Sequence, residues 1–151
     1  MASKRPTAEK QWHDADGQLH RDDDLPAIER TNGDRIWYMH GQLHRDGGLP
    51  ALEYANGDRV WYVNGRCCRD DDLPAMEYAN GDRIWYMDNY IHRNGGLPAL
   101  VYANGDRAWY VNGQIHRDGD LPAVMYADGR HEWWIHDIRR RVPQPASRSE
   151  K

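Results

Sequence analysis

Short segments of alternating apolar and polar residues, separated by turn residues, run along most of the chain. Within residues 49–69, the segment 51–54 alternates, Asn56-Gly57 follows, and a second segment, 59–63, leads to Asn64-Gly65. Alternation with a period of two is typical of a half-buried β-strand. Asn-Gly between two such segments favours a two-residue hairpin turn, because both residues tolerate positive φ. The pattern therefore predicts β-hairpins.

The same pattern returns every 24 residues. Each copy begins with Leu-Pro-Ala, near residues 25, 49, 73, 97 and 121. A fixed period without insertions predicts a stack of equivalent units rather than a globule with one closed pocket. We predict an all-β fold, an elongated antiparallel sheet of stacked 24-residue β-hairpin repeats. The array spans residues 12–138, between a polar tail (1–11) and a basic, disordered tail (139–151). The structural core is predicted to be the repeated tryptophan: Trp37, Trp61, Trp85, Trp109 and Trp133.

A two-residue turn at Asn56-Gly57 would pair Glu53 with Val60 and Leu52 with Trp61. Paired residues point to the same side of a sheet, which gives two faces. We predict that the core face carries Leu52, Tyr54, Arg59, Trp61 and Val63, with Arg59 lying against the ring of Tyr54. The outer face would carry Ala51, Glu53, Val60 and Tyr62.

The remaining part of each unit follows the second turn. In the first full copy this is residues 42–45, which the turn would place with His44 opposite Trp37. The pattern leaves open whether these segments are true third strands or only cover the core. Residues 12–21 form a partial unit, and the fifth copy departs from the others in sequence. We therefore predict that these two units cap the ends of the array.

Composition narrows the class of protein. The 151 residues carry a net charge of −4 and include seven Trp and nine Tyr but no Phe, so every aromatic side chain has a polar group. No apolar run is long enough to span a membrane, and the start lacks the apolar segment of a signal peptide. Cys67 and Cys68 are adjacent and form no disulfide framework, which favours reduced thiols. We expect an intracellular protein, in the cytoplasm, or in the host cytoplasm or virion if the chain is viral.

The units resemble MORN repeats. Gly41-Gln42-Leu43-His44 and its two counterparts match the Gly-x-x-His part of that motif, and Trp61-Tyr62-Val63-Asn64-Gly65 matches its aromatic-to-turn part. The longer pattern, which runs on to Arg-Asp and Pro-Ala, is similar to MORN-like variants of large DNA viruses and phages. Arg45 stands where ordinary MORN repeats have Gly. The resemblance implies scaffolding, dimerisation or phospholipid contact.

Three sets of residues suggest chemistry, and we favour a structural role for each. The series His20, His44, His92 and His116 is spaced by about 9–10 Å per hairpin, too far apart to share one zinc ion; we expect these rings to pack on Trp and bond to loop carbonyls. Repeated His-Arg-Asp mimics a kinase loop without its partner motifs. The Asp-rich turns, such as residues 70–72, lack the ligand spacing of a calcium loop. We predict no enzyme activity, no cofactor and no small-molecule substrate.

A candidate interaction surface lies on the outer face near the C-terminal end. Val101 and Met125 replace the Glu of the first three copies. By the predicted pairing, the resulting apolar patch consists of Val101, Ala108, Tyr110, Met125 and Trp134. Exposed patches of this kind mark contacts. We predict a scaffold that binds an unidentified protein partner and itself, as a homodimer.

A second hypothesis is a peripheral anionic-lipid contact through the basic segment Arg139, Arg140 and Arg141. Nucleic acid is a less favoured partner for this segment, because three consecutive Arg residues are a modest signal.

Overall fold

The computed structural model describes residues 8–141, and every helix or strand assigned in that range is a β-strand. Most strands are only two residues long. In chain order they are β1 Lys10–Gln11, β2 Ile28–Glu29, β3 Arg35–Ile36, β4 Tyr38–Met39, β5 Gln42–Leu43, β6 Leu52–Glu53, β7 Arg59–Val60, β8 Tyr62–Val63, β9 Arg66–Cys67, β10 Met76–Glu77, β11 Arg83–Ile84, β12 Tyr86–Met87, β13 Tyr90–Ile91, β14 Leu100–Val101, β15 Arg107–Ala108, β16 Tyr110–Val111, β17 Gln114–Ile115, β18 Val124–Met125, β19 His131–Ile135 and β20 Ile138–Arg140.

Each repeat contributes one hairpin to a long sheet and one hairpin to a row of small sheets. Within the described range, the long sheet has 12 antiparallel strands in the order β1-β2-β3-β6-β7-β10-β11-β14-β15-β18-β19-β20. The pairs β4-β5, β8-β9, β12-β13 and β16-β17 form separate two-stranded sheets. The predicted all-β array of antiparallel hairpins is therefore confirmed. The segments after the second turn are true strands, which answers the question that the sequence left open.

The second turn of each repeat has the predicted two-residue geometry. Asn64 and Gly65 have φ values of 48° and 73°, as a type I′ turn requires. The resulting register pairs Tyr62 with Cys67. In the first copy, the N–H of His44 donates to the carbonyl oxygen of Trp37 at 3.2 Å, so these residues lie opposite each other as predicted.

The first turn is one residue longer than predicted. The N–H of Tyr54 donates to the carbonyl of Asp58 at 3.0 Å, and the N–H of Gly57 donates to the carbonyl of Tyr54 at 2.9 Å. Only Gly57 has positive φ, at 97°. This is a type I turn followed by a glycine bulge, which closes a three-residue loop. The side chain of Asn56 favours this turn, because its Oδ1 accepts from the N–H of Asp58 at 3.0 Å.

The longer turn shifts the register by one residue and exchanges the predicted faces of Arg59 and Val60. Leu52 pairs with Val60, and Glu53 pairs with Arg59. Val60 is 4% exposed, whereas Arg59 is exposed. The assignment of Arg59 to the core and Val60 to the outer face was therefore wrong. Val63, also predicted in the core, is 40% exposed.

The core lies between the long sheet and the row of small sheets. Val60 of the long sheet, Cys67 of the small sheet and Ala75 of the next Leu-Pro-Ala form one buried cluster. Around it pack side chains of the same and the following repeat, so the third repeat completes the core of the second. These partly buried side chains are Leu52, Tyr54, Tyr62, Met76 and Tyr86.

Both ends of the array extend further than predicted. β1 pairs with β2, so Lys10 and Gln11 belong to the sheet rather than to a tail. β20 pairs with β19, which places Arg139 and Arg140 in a strand and corrects the prediction of disorder from residue 139. Residues 1–7 and 142–151 of the two predicted tails lie outside the described range.

The partial unit at the N-terminus reproduces the tryptophan position of a full repeat. The N–H of Trp12 donates to the carbonyl of Ala27 at 3.0 Å, as the N–H of Trp37 does to Ala51 at 2.8 Å. Trp12 lies one residue further from its His than the other tryptophans do. The turn that closes with Asp14 N–H donating to the Gln18 carbonyl absorbs the extra residue.

Candidate interaction surface

A tryptophan and an arginine eight residues later form the repeated structural unit beside this surface. The guanidinium carbon of Arg45 lies 3.8 Å from the ring centre of Trp37, and that of Arg69 lies 3.8 Å from Trp61. The same contact recurs at Trp85–Arg93 and Trp109–Arg117, and in the partial unit at Trp12–Arg21, where the two residues are nine positions apart. The predicted contact between Arg59 and the ring of Tyr54 was therefore wrong, because the stacked pair in this repeat is Arg69 on Trp61. The constant spacing between Trp and Arg was the sequence signal for this pair.

The tryptophans are anchored at their indole N–H. The Nε1 of Trp61 donates to the carbonyl oxygen of Gly48 at 2.8 Å, and the Nε1 of Trp37 donates to that of Asp24 at 3.0 Å. Four of the five predicted core tryptophans are buried, and Trp133 in the last copy is half-buried. Each interior indole therefore ties a repeat to the loop that precedes it.

The exposed face of the long sheet carries a ladder of alternating charges. Cross-strand partners along it are, in order, Lys10, Glu29, Arg35, Glu53, Arg59, Glu77, Arg83, Val101, Arg107, Met125 and His131. Opposite charges on adjacent strands stabilise a sheet modestly. Glu53 is also held by Nη1 of Arg45 at 3.0 Å, and Glu77 by Nη1 of Arg69 at 3.0 Å.

This ladder changes character at Val101 and Met125. Both residues face Arg107, one on each side, where the preceding repeats place Glu. Arg117, which corresponds to Arg45 and Arg69, has the sulfur of Met125 at 3.9 Å instead of a carboxylate. The C-terminal half of the face is therefore both more apolar and more basic than the N-terminal half.

The predicted patch is only partly brought together. Val101 and Met125 share the exposed face, as the sequence suggested. Ala108 pairs with Leu100 and Val124 on the opposite face and is 5% exposed, so it is excluded from the patch. The one-residue register error is the reason.

Tyr110 and Trp134 are half-buried and lie outside that face. Tyr110 belongs to a small sheet, opposite Ile115. Trp134 pairs with Arg139 in the terminal hairpin. Trp134 lines a groove of about 630 Å³ at the end of the array, together with Leu121, Trp133, Ile135 and several charged side chains.

The basic segment is placed on the edge strand. Nη2 of Arg139 lies 2.9 Å from Oε1 of Glu132, and Arg140 pairs with Trp133 across the hairpin. All three of Arg139, Arg140 and Arg141 are exposed, and Ile138 beside them is 62% exposed. An apolar and a basic side chain therefore lie next to each other at this edge.

The histidines link one repeat to the next. Nδ1 of His44 accepts from the N–H of Asn64 at 3.0 Å, while its Nε2 lies 3.0 Å from Oδ1 of Asp46. His20 and His116 have the same two kinds of partner, and His92 pairs with Asn94. The partners are thus a backbone N–H and a loop side chain, not the loop carbonyls that we predicted. Among residues 8–141, no three His, Cys, Asp or Glu side chains cluster as a metal site would require.

The two cysteines are free thiols. Cys67 is 4% exposed, and burial raises its pKa to about 12. Cys68 occupies the position of His44 in its own repeat, opposite Trp61, so the second repeat lacks one imidazole link.

The chain matches no protein-family model and no curated protein sequence. In the part of the chain that the structure describes, no helix has the length and apolarity needed to cross a bilayer.

Proposed function

We propose that this chain is a non-enzymatic repeat scaffold that mediates protein–protein contact, including its own self-association through the C-terminal half of the exposed sheet face. The observation that carries the proposal is the exchange of the ladder carboxylates for Val101 and Met125. In the interior repeats Arg59 lies between Glu53 and Glu77 on the adjacent strands, whereas Arg107 lies between two apolar side chains. Apolar area that adjoins uncompensated charge is suited to a partner that supplies both apolar contact and carboxylates.

A second copy of the chain would supply the carboxylates. The N-terminal half of the same face presents Glu29, Glu53 and Glu77 in cross-strand positions. An antiparallel dimer would bring these carboxylates towards Arg107 and Arg83 of its partner copy. The arrangement is isologous, because each copy contributes both halves, and it therefore closes as a dimer.

The double variant Val101→Glu, Met125→Glu tests this proposal. Glu at these positions extends the charge ladder that the interior repeats already have, so the fold should keep its melting temperature. Light scattering should show that the wild-type dimer becomes a monomer. The matched control is Met39→Glu, Val63→Glu, which makes the same chemical changes at side chains that are 40% exposed in the small sheets. A double variant with the mass of the wild type, or an equal loss of mass in the control, would contradict the proposed face.

Anionic-lipid contact is a second candidate, and it depends on a different observation. Ile138 is 62% exposed beside Arg139 and Arg140 on the edge strand, a combination suited to the polar–apolar boundary of a membrane. We expect the wild type to float with vesicles of phosphatidylserine and phosphatidylcholine. The triple variant Arg139→Gln, Arg140→Gln, Arg141→Gln should stay in the unbound fraction at the bottom of the gradient.

Substitution is preferable to truncation in this test, since Arg139 and Arg140 belong to β20. The control replaces Arg59, Arg66 and Arg83 by Gln, which removes the same charge from other exposed positions. Equal flotation of both variants would eliminate the edge strand as the lipid contact.

A further inference from the structure

In two repeats, the Nε–Nη2 edge of an arginine binds the carboxylate of an aspartate from the preceding loop. We call this carboxylate-binding position the slot. Nε and Nη2 of Arg45 donate to the two carboxylate oxygens of Asp24 at 2.7 and 2.8 Å. Nε and Nη2 of Arg93 hold Asp72 in the same way, at 2.9 and 2.7 Å. This side-on pair of charge-assisted bonds is a strong and orientation-specific mode of carboxylate recognition. The pKa of Asp24 is held below its ordinary value, mainly by its hydrogen bonds from Arg45.

The alternate repeats keep the arginine but lack the carboxylate. Gly48 and Gly96 stand 21 residues before Arg69 and Arg117, at the positions of Asp24 and Asp72. The guanidinium groups of Arg69 and Arg117 are nevertheless held in place by the same contacts as in the other repeats. Nη1 of Arg69 donates to the Pro74 carbonyl at 3.3 Å, as Nη1 of Arg45 does to Pro50 at 3.3 Å.

Arg117 is held by the same two contacts, one with a tryptophan ring and one with a proline carbonyl. Its guanidinium carbon lies 3.8 Å from the ring centre of Trp109, and its Nη1 donates to the Pro122 carbonyl at 3.1 Å. In both Gly-containing repeats, the Nε–Nη2 edge of the arginine is thus fixed in the position that binds a carboxylate in the other repeats.

An open groove replaces the missing side chain in each case. The groove at Arg69 has a volume of about 430 Å³, and the groove at Arg117 has about 300 Å³. Both are formed by the Gly-Gly loop, the next tryptophan and the arginine. The apolar lining of the Arg117 groove comes from Leu97, Trp109, Tyr110, Val111 and Leu121.

We propose that the grooves at Arg117 and Arg69 bind the carboxylate of an acidic peptide segment, in the position that Asp24 and Asp72 occupy in the alternate repeats. The ligand is an Asp or Glu side chain followed by an apolar residue. Its carboxylate accepts from Nε and Nη2, and its apolar side chain packs against the leucines of the groove. The site adjoins the exposed sheet face, because Nη1 of Arg117 lies 3.9 Å from the sulfur of Met125, but the carboxylate would bind the other edge of the guanidinium, and binding does not require self-association.

Arg117 is the stronger of the two sites. Arg69 already has one carboxylate partner, Glu77 at 3.0 Å, whereas Arg117 forms no ion pair with any residue in the range 8–141. The charges that line the two grooves also favour Arg117 as the stronger site. The groove at Arg69 is lined by Asp46, Asp70 and Asp71, whereas Asp118 is the one described carboxylate that lines the groove at Arg117. Burial lowers the pKa of Arg117 below its ordinary value, and no ion pair with a described carboxylate offsets this effect.

The probe is N-acetyl-Asp-Leu-amide, titrated into the full chain while the arginine Nε–H and tryptophan indole signals are followed by NMR. We expect saturable shifts of the Arg117 and Trp109 signals, with a Kd of about millimolar for so small a ligand. The neutral probe N-acetyl-Asn-Leu-amide should shift neither signal. Absence of a shift with the acidic probe, or equal shifts with both probes, would overturn the proposal.

A variant that keeps the fold provides the decisive comparison. Gly96 has a φ of 68°, and a Cβ built on it meets no atom within 4 Å. Asp24 and Asp72 adopt similar φ values of 53° and 54° at the equivalent position. Gly96→Asp should therefore fill the slot internally and weaken probe binding at Arg117 at least about tenfold.

The matched control is Gly95→Asp. It adds the same charge one residue earlier, where a Cβ also has open space, but outside the slot. We expect this variant to bind the probe within about threefold of the wild type. Probe binding at Arg117 that survives Gly96→Asp, or is lost equally in both variants, would overturn the proposed position of the carboxylate.

Discussion

Oδ1 of Asp58 accepts a hydrogen bond at 2.8 Å from the backbone N–H of Ala79, which lies 21 residues further along the chain. The carboxylate of each Asn-Gly-Asp turn thus joins that turn to the equivalent turn of the next repeat. The bond recurs at Asp34, Asp82 and Asp106, with distances of 2.9, 2.8 and 2.7 Å. The fixed Asp after Asn-Gly has a structural role between repeats, and neither a metal nor a catalytic function is needed to explain it.

Asp58→Ala should lower the free energy of unfolding by about 1 kcal/mol, because the exposed Ala79 N–H and the side chain of Asn56 would exchange their hydrogen bonds to the carboxylate for bonds to water. Chemical denaturation monitored by tryptophan fluorescence would measure the change. Asp70→Ala is the control, since that carboxylate forms no side-chain hydrogen bond with the described residues. Its expected change is within about 0.5 kcal/mol. Similar losses in the two variants would refute the role of the inter-repeat bond.

Trp85→Ala should cost about 3–5 kcal/mol, which is typical of a large aromatic truncation in a core. The side chain is 9% exposed, stacks with Arg93 and donates from its indole N–H to the carbonyl of Asp72 at 2.8 Å. Tyr90→Ala, at a ring that is 59% exposed, should change stability far less. Melting curves of both variants would decide the point, and a Trp85 variant as stable as the wild type would show that the tryptophan row does not support the fold.

Cys68→His should stabilise the protein by about 1 kcal/mol. In the other repeats the imidazole at this position accepts from a backbone N–H 20 residues later and bonds to a loop side chain two residues later. The new ring would have the N–H of Asp88 and the carboxylate of Asp70 as partners. Thermal denaturation would measure the effect, with Cys68→Ser as the control. A His variant no more stable than the Ser variant would contradict this account of the histidine links.

Stability should fall in acid partly through Asp24 and Asp72, whose pKa values are lowered by hydrogen bonds from Arg45 and Arg93. A carboxyl with a lowered pKa in the folded state stabilises the protein above its unfolded pKa, near the ordinary value of 3.8. That contribution is lost as the pH falls from about 5 through the lowered pKa.

Asp24→Asn with Asp72→Asn should accordingly reduce the difference in unfolding free energy between pH 6 and pH 3. Both carboxylates are about half exposed, so solvent screening keeps the effect small. Urea titrations at the two pH values would measure it, and Asp23→Asn with Asp71→Asn provides the control. An unchanged difference in the test variant would argue against a contribution from these ion pairs.

The hairpin repeats, their antiparallel order and the type I′ second turn were predictable from local sequence, because alternation, Asn-Gly and a fixed period act within a few residues. The first turn was not predicted correctly. Asn-Gly-Asp closes a three-residue loop here, since Asn56 bonds to the N–H of Asp58 and only Gly57 needs positive φ. One added loop residue moved Val60 into the core and Ala108 out of the predicted patch.

The sequence by itself determined the repeating β-architecture of this protein and the exchange of Glu for Val101 and Met125, because both are properties of single positions repeated at a fixed step. Only the tertiary structure decided which guanidinium groups bind a carboxylate of the chain and which lack one. Those contacts join residues 21 positions apart and depend on the register of the hairpins and on the stacking of whole repeats. The difference between Arg93 and Arg117 arises there, since the sequence shows the change from Asp72 to Gly96 but not that these positions face the arginines.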